Sequence, residues 1–206
     1  MAGKFIIFEG LGASGKTTQI KLLTDRLHKE GFDVVNIREP GGTPFSEALR
    51  TAFLDHANLS PVTELLTLMA ARRHHEETVI VPALKAGKVV ICDRFDASTY
   101  ANQIQGDQEL SRLFTTITRS RHTLVNPNTT LYLDVSPKES YERSLDRGTT
   151  RRYDVESITH RGLIRRYLHE YAHTDPSAAI IDGTDSTIAV HETIYDRIRS
   201  LLGDHA

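Results

Sequence analysis

Residues Gly10–Thr17 read GLGASGKT, a G-x-x-x-x-G-K-T pattern set directly behind the apolar run Phe5-Ile6-Ile7-Phe8. No other feature constrains the fold as tightly. A short, wholly apolar run suits a strand buried on both faces, and here a glycine-rich turn and a helical stretch, Thr17–Glu30, follow it. Strand, turn and helix in that order aim several backbone N–H groups at one point, which is how a chain cradles phosphate. In such a loop Gly10, Gly12, Ala13, Ser14, Gly15, Lys16, Thr17 and Thr18 surround the phosphates. Lys16 reaches the outer phosphates, and the Thr17 hydroxyl ligates Mg²⁺. The alternative is a strand–helix turn that merely happens to be rich in glycine, and the presence of both flanking elements argues against it. The chain is expected to bind a nucleoside triphosphate.

Further apolar runs suit buried strands at Val34–Ile37, Val89–Cys92, Thr130–Asp134 and Ala179–Ile181. Helical patterns separate them at Phe45–Leu54, Val62–Lys85, Gln108–Thr123, Pro137–Asp146, Val155–Ala172 and Ile188–Leu202. Ser136 precedes Pro137 and is a fitting N-cap. Strands alternating with helices predict a parallel five-stranded sheet covered on both faces, and the 206 residues suit a single α/β domain, 1–206. In such sheets ligands sit beyond the carboxyl ends of the strands.

Residue types that carry chemistry do follow the strands. After the second comes Arg38-Glu39-Pro40-Gly41-Gly42-Thr43, in which Arg38 is a fixed cation beside glycines that allow close backbone approach. After the third comes Asp93-Arg94; a carboxylate there can hold hydrated Mg²⁺. Taken singly, the first reads as a tight turn and the second as a surface ion pair. Three strand ends carrying such residues on one rim favour a common site.

Arg143, Arg147, Arg151, Arg152, Arg161, Arg165 and Arg166 crowd one segment. One reading is a solvated helix face. The other is a lid at about residues 146–153, short, polar and broken by Gly148, that closes over phosphates and brings guanidinium groups to developing charge. The lid reading is preferred. An arginine stripe for RNA is disfavoured by the formal net charge of −2. The single cysteine, Cys92, lies in an apolar run and cannot form an internal disulfide. No apolar run approaches the roughly 20 residues of a membrane span, and the N-terminus lacks a signal-peptide pattern. The expected setting is therefore cytoplasmic, with no membrane and no nucleic-acid partner.

Together these segments resemble the thymidylate kinase family of P-loop nucleoside-monophosphate kinases. The matching stretches are Phe5–Gln19, Arg38–Thr43 with Glu47 and Arg50, Ala70–Leu84, Asp93–Gln103 and Arg152–Leu163, in family order. The resemblance implies a P-loop NTPase-type fold and transfer of the γ-phosphoryl group of ATP to dTMP, with ATP and Mg²⁺ on the phosphate loop. It implies that Lys16 acts on the transferred group and that Thr17 and Asp93 serve the metal. Glu9 is implied near the metal's waters, and Arg38, Pro40, Arg94, Ser98 and Thr99 near the acceptor. Arg72 is implied at the base and Gln103 close by. With Gly12-Ala13-Ser14 in the loop, the catalytic arginine is implied to come from Arg147, Arg151 or Arg152, alongside Arg94. A homodimer is implied as well.

The chain departs from the family pattern on the acceptor side. Gly12 replaces an acidic residue, Leu68 a base-stacking Phe, and Asn102 a tyrosine that crowds the ribose 2′ position. After Gln103 the family commonly has Gly, and this chain has Ile104. The main expectation is a dTMP kinase. One alternative keeps the chemistry but alters the acceptor to UMP, dUMP or a modified uridylate, because the Asn102 amide could bond a 2′-hydroxyl. Another is a non-catalytic nucleotide-binding regulator, which would not need an arginine-rich lid.

Overall fold

The computed structural model describes residues 3–56, 58–121, 125–146 and 157–202. Five strands form one parallel sheet: β1 Lys4–Gly10, β2 Val34–Arg38, β3 Val89–Asp93, β4 Thr129–Asp134 and β5 Ala178–Asp182, in the order β2-β3-β1-β4-β5. All five predicted strands form, within a residue or two at each end. The order places β1 centrally, so the loop after Gly10 lies between the ends of β3 and β4, with Phe8 beside Asp93 and Gly10 beside Leu133.

Alternation along the strands divides the core between two faces. Ile6 and Phe8 point to one side with Ile91, Leu131 and Leu133, under Leu23 and Leu27 of α1 (Lys16–Lys29) and Ile194 and Ile198 of α9 (Thr187–Leu202). Phe5, Ile7, Val90 and Cys92 point to the other side. Each such side chain, withdrawn fully from water, contributes about 1.5–3 kcal/mol. Cys92 is buried and free, and burial pushes its thiol well above the usual range.

The remaining helices are α2 (Pro44–Asp55), α3 (Pro61–His75), α4 (Val81–Lys85), α5 (Asp96–Thr99), α6 (Gln108–Arg121), α7 (Pro137–Asp146) and α8 (Ile158–Thr174). The long predicted helix Val62–Lys85 is α3 and α4 joined by a π-helical turn, Glu76–Ile80. Pro82 lies just beyond that turn and cannot supply an N–H to a regular ladder. Ser136 caps α7 as expected, accepting from the Glu139 N–H at 3.1 Å. One element was not anticipated. α5 continues through a second π-helical turn, Tyr100–Ile104, directly after β3. Together with Phe53, Leu65 and Leu68 from α2 and α3, Ile104 forms a separate apolar cluster between helices. Among the described residues no helix is long and apolar enough to cross a membrane.

Candidate active site

The phosphate loop owes its shape to backbone conformations that side chains resist. Gly10 and Gly15 have φ of 142° and 102°, and Ala13 has φ of 57°. A side chain on Gly10 would also come within 2.5 Å of the Leu133 carbonyl oxygen, because β4 runs alongside. Gly15 precedes α1 without a side-chain cap, and the N-terminus of a helix favours an anion. Lys16 is 6% exposed, and its Nζ donates to the carbonyls of Gly10 at 3.0 Å and Leu11 at 2.8 Å. Thr17 and Thr18 stay exposed at the start of the helix.

Glu9 sits beneath this loop with no exposed surface. One of its oxygens accepts from the N–H groups of Phe95 at 2.7 Å and Ser98 at 3.1 Å, and the other from the Ser98 hydroxyl at 2.5 Å. Burial raises its pKa, with the Ser98 hydroxyl and Arg94 opposing. The sequence reading expected Glu9 near a metal's waters; in the structure it fastens the start of α5 to β1. Arg94 has φ of 71°, and its Nη1 spans from the Gly10 carbonyl at 3.2 Å to the Ser98 hydroxyl at 3.0 Å. Asp93 lies beside it at the end of β3. Its Oδ1 is buried and has no hydrogen-bond partner among the described residues.

Across the cleft, Arg72 on α3 is 4% exposed. Its Nε pairs with Glu39, its Nη1 with Asp96 at 2.7 Å and its Nη2 with the Thr99 hydroxyl at 3.1 Å, over the Phe95 ring. Burial opposes its charge, but Glu39 and Asp96 more than restore it, so its pKa is raised. Three elements far apart in sequence thus hold one guanidinium in a fixed plane. Arg38 is half exposed and pairs with Glu47 at 2.6 Å. Glu47 also accepts from the Gly42 N–H at 2.8 Å, and that bond, with Arg38, holds its carboxyl below the usual range. Arg50 donates to the Pro40 carbonyl at 2.8 Å. Asn102 donates to the Ser98 carbonyl at 2.6 Å.

A cavity of about 460 Å³ runs from the phosphate loop to this cluster. Every described residue expected to contact nucleotide borders it, with three exceptions: buried Glu9, Gly10 at the end of β1, and Thr18, which faces a second cavity. Leu68 is on the wall, and so is Phe53 of α2, an aromatic that the sequence reading missed. The second cavity, about 400 Å³, shares Ala13, Ser14 and Gly15 with the first and lies toward Arg143, Asp185 and Thr187. It too was missed, since the loop after β5 carries no motif. Arg147, Arg151 and Arg152, and with them nearly all of the expected lid at 146–153, lie outside the described residues.

A phosphate loop bordered by two cavities offers room for a triphosphate and a second nucleotide side by side, an arrangement that suits the class of ATP-dependent phosphotransferases. Comparison with known proteins narrows this. The sequence model of the family described as thymidylate kinase matches residues 8–194. A thymidylate kinase of Pelobacter propionicus is 37% identical over 95% of this chain and 94% of its own length. One from Caulobacter vibrioides is 38% identical over 98% of each. The crystal structure of thymidylate kinase from Ehrlichia chaffeensis superimposes with a TM-score of 0.74 at 30% identity, covering 96% of this chain and 100% of that one. The chain belongs to the thymidylate kinase family.

Proposed function

We propose that this protein transfers the γ-phosphoryl group of ATP to dTMP, giving dTDP and ADP. The observation that carries this reading is the single cleft joining the phosphate loop to the buried Arg72 cluster, in a chain whose relatives carry that name. Phosphoryl transfer asks little covalent chemistry of the protein, so the side chains act by position and charge. Lys16 exchanges the Gly10 and Leu11 carbonyls for phosphate oxygens, gaining charge-assisted bonds. Arg94, fixed between the phosphate loop and α5, orients the acceptor phosphate together with Arg38. Arg72 presents its remaining N–H groups to the base, and Ser98, Thr99, Asn102, Gln103 and Pro40 shape the wall around the sugar. Phe53 supplies the aromatic surface that Leu68 lacks. Arg147, Arg151 or Arg152 neutralises charge developing on the transferred group. The second cavity takes the donor base.

The orphaned Asp93 Oδ1 and the exposed Thr17 hydroxyl fit a hydrated Mg²⁺, which takes few protein ligands and keeps most of its water. When bound, the ion would lower the charge that the phosphates present to the acceptor. We further propose a homodimer formed through α2 and α3, supported by exposed Phe45, Val62 and Leu66. The lone, free Cys92 supports a cytoplasmic setting.

A second reading, in which a ribonucleotide is also accepted, is favoured by Asn102. Its NH₂ is committed to the Ser98 carbonyl, which leaves Oδ1 as an acceptor on the cleft wall. Steady-state ADP release with ATP·Mg²⁺ against dTMP, dUMP, UMP, CMP and dCMP tests both. A kcat/KM preference for dTMP supports the first reading, preference for UMP the second, and turnover with none of them refutes both.

A further inference from the structure

The proposed reaction makes no use of Arg161, although it is the largest fully buried side chain among the described residues, 1% exposed. It lies in the first turn of α8 and reaches across to α7. Its Nη1 donates to the Ser140 hydroxyl at 2.6 Å and its Nη2 to the Ser144 hydroxyl at 3.1 Å. Longer contacts run from Nη1 to the carbonyls of Ser140 at 3.4 Å and Gly12 at 3.5 Å. Ser140, itself without exposed surface, passes the connection on: its hydroxyl donates to the Gly12 carbonyl at 2.7 Å. A cation bonded to a hydroxyl in a low-dielectric interior polarises it and strengthens the bond that it donates. The tip of the phosphate loop is therefore held from outside by a buried charge acting through one serine.

The consequence follows from peptide geometry. The Gly12–Ala13 peptide is trans, as are all described peptide bonds except Glu39–Pro40. In a trans peptide the C=O and the N–H point in opposite directions. Holding the Gly12 carbonyl toward Ser140 fixes the Ala13 N–H in the opposite direction, in a loop whose Ala13, Ser14 and Gly15 border both cavities. Ala13 also keeps a left-handed φ of 57°, which a residue with a Cβ retains only where its surroundings enforce it.

We propose that Ser140 and Arg161 are positioning residues for phosphoryl transfer, which set the Gly12–Ala13 peptide so that its N–H faces the donor phosphates before ATP arrives. This rests on the reading that ATP occupies the phosphate loop. Because α7 and α8 bracket residues 147–156, the same relay fixes the loop to the anchors of the arginine-bearing segment on both sides.

The test compares Ser140→Ala with Ser144→Ala in the full-length chain. Both variants lose a hydroxyl bonded to Arg161, but only the first loses a bond to the phosphate loop. ATP affinity by titration calorimetry, KM for ATP and for dTMP, and Tm are measured for each. Ser140→Ala is expected to weaken ATP about tenfold and leave KM for dTMP within about twofold, and Ser144→Ala to leave both within about twofold. Arg161→Met is expected to show the same selective loss for ATP, and if it does not fold the serine pair decides alone. ATP binding by Ser140→Ala within about twofold of the parent overturns the proposal. So does equal weakening of ATP by the two serine variants, or equal weakening of ATP and dTMP by Ser140→Ala, since either marks general loosening. A parent protein that binds dTMP but not ATP overturns the donor-site reading itself.

Discussion

Replacing Phe53 with leucine tests the acceptor site at its most unusual point. Phe53 is 4% exposed and borders the same cleft as Leu68, within one apolar cluster of α2, α3 and the helical turn after β3. A flat aromatic face contributes about 0.5–1.5 kcal/mol beyond the area that it covers, so its loss should raise the Kd for dTMP about two- to twelvefold. The exchange keeps an apolar side chain of similar volume, so the stability cost should stay below about 1.5 kcal/mol and leave the site folded. Phe53 does not border the donor-side cavity, and ATP binding should be unchanged. Adding Leu68→Phe returns an aromatic to the same cluster on the cleft wall and should recover most of the loss. Calorimetric titration of dTMP and of ATP into the parent, the single variant and the double variant measures each quantity. A Phe53→Leu variant with unaltered dTMP affinity would refute the argument that α2 supplies the base-facing ring. So would loss of ATP and dTMP affinity in equal measure.

Lys16→Ala should lower kcat about a hundredfold or more while the circular dichroism spectrum persists; near-parental turnover would show that the phosphate loop is misassigned. Asp93→Asn should raise the Mg²⁺ concentration for half-maximal ADP release by about 10–100-fold, and an unshifted titration would remove Asp93 from the metal site. Asp134 gives a test by pH. Burial pushes its carboxyl up, but the paired bonds from Arg165 and the contact with His169 outweigh that, so its pKa is lowered. A lowered carboxylate stabilises the fold above the ordinary carboxylate range, and that stability disappears as pH falls through the folded-state value. Asp134→Asn should therefore reduce Tm at neutral pH, with the gap closing toward about pH 3. A gap of constant size would place the effect in packing instead of charge.

Much of the architecture is legible without coordinates because burial on two faces leaves continuous apolar runs, and all five appear as parallel strands. The phosphate loop is legible for a related reason: its function resides in backbone conformation, and glycines at fixed spacing report that directly. The helical segment Asp96–Ile104 was hidden because Ser98, Thr99, Asn102 and Gln103 face the cleft and break the apolar period that marks a helix. Glu9 shows a complementary limit. The resemblance implied it near a metal's waters, and only the fold reveals that the backbone of Phe95 and Ser98 takes up one of its oxygens.

By itself, then, the sequence determined the alternation of strands and helices, the phosphate-binding turn and the rim on which chemistry gathers, since each is written in local periodicity or backbone preference. The tertiary structure alone decided which distant side chains meet. The strand order β2-β3-β1-β4-β5 brings Glu39, Arg72, Asp96 and Thr99 into one buried cluster and sets Phe53 beside Leu68. It also seats Arg161 behind Gly12, 149 residues away in the chain. Ion pairs and hydrogen bonds depend on distances between elements, and nothing local in a sequence encodes those distances.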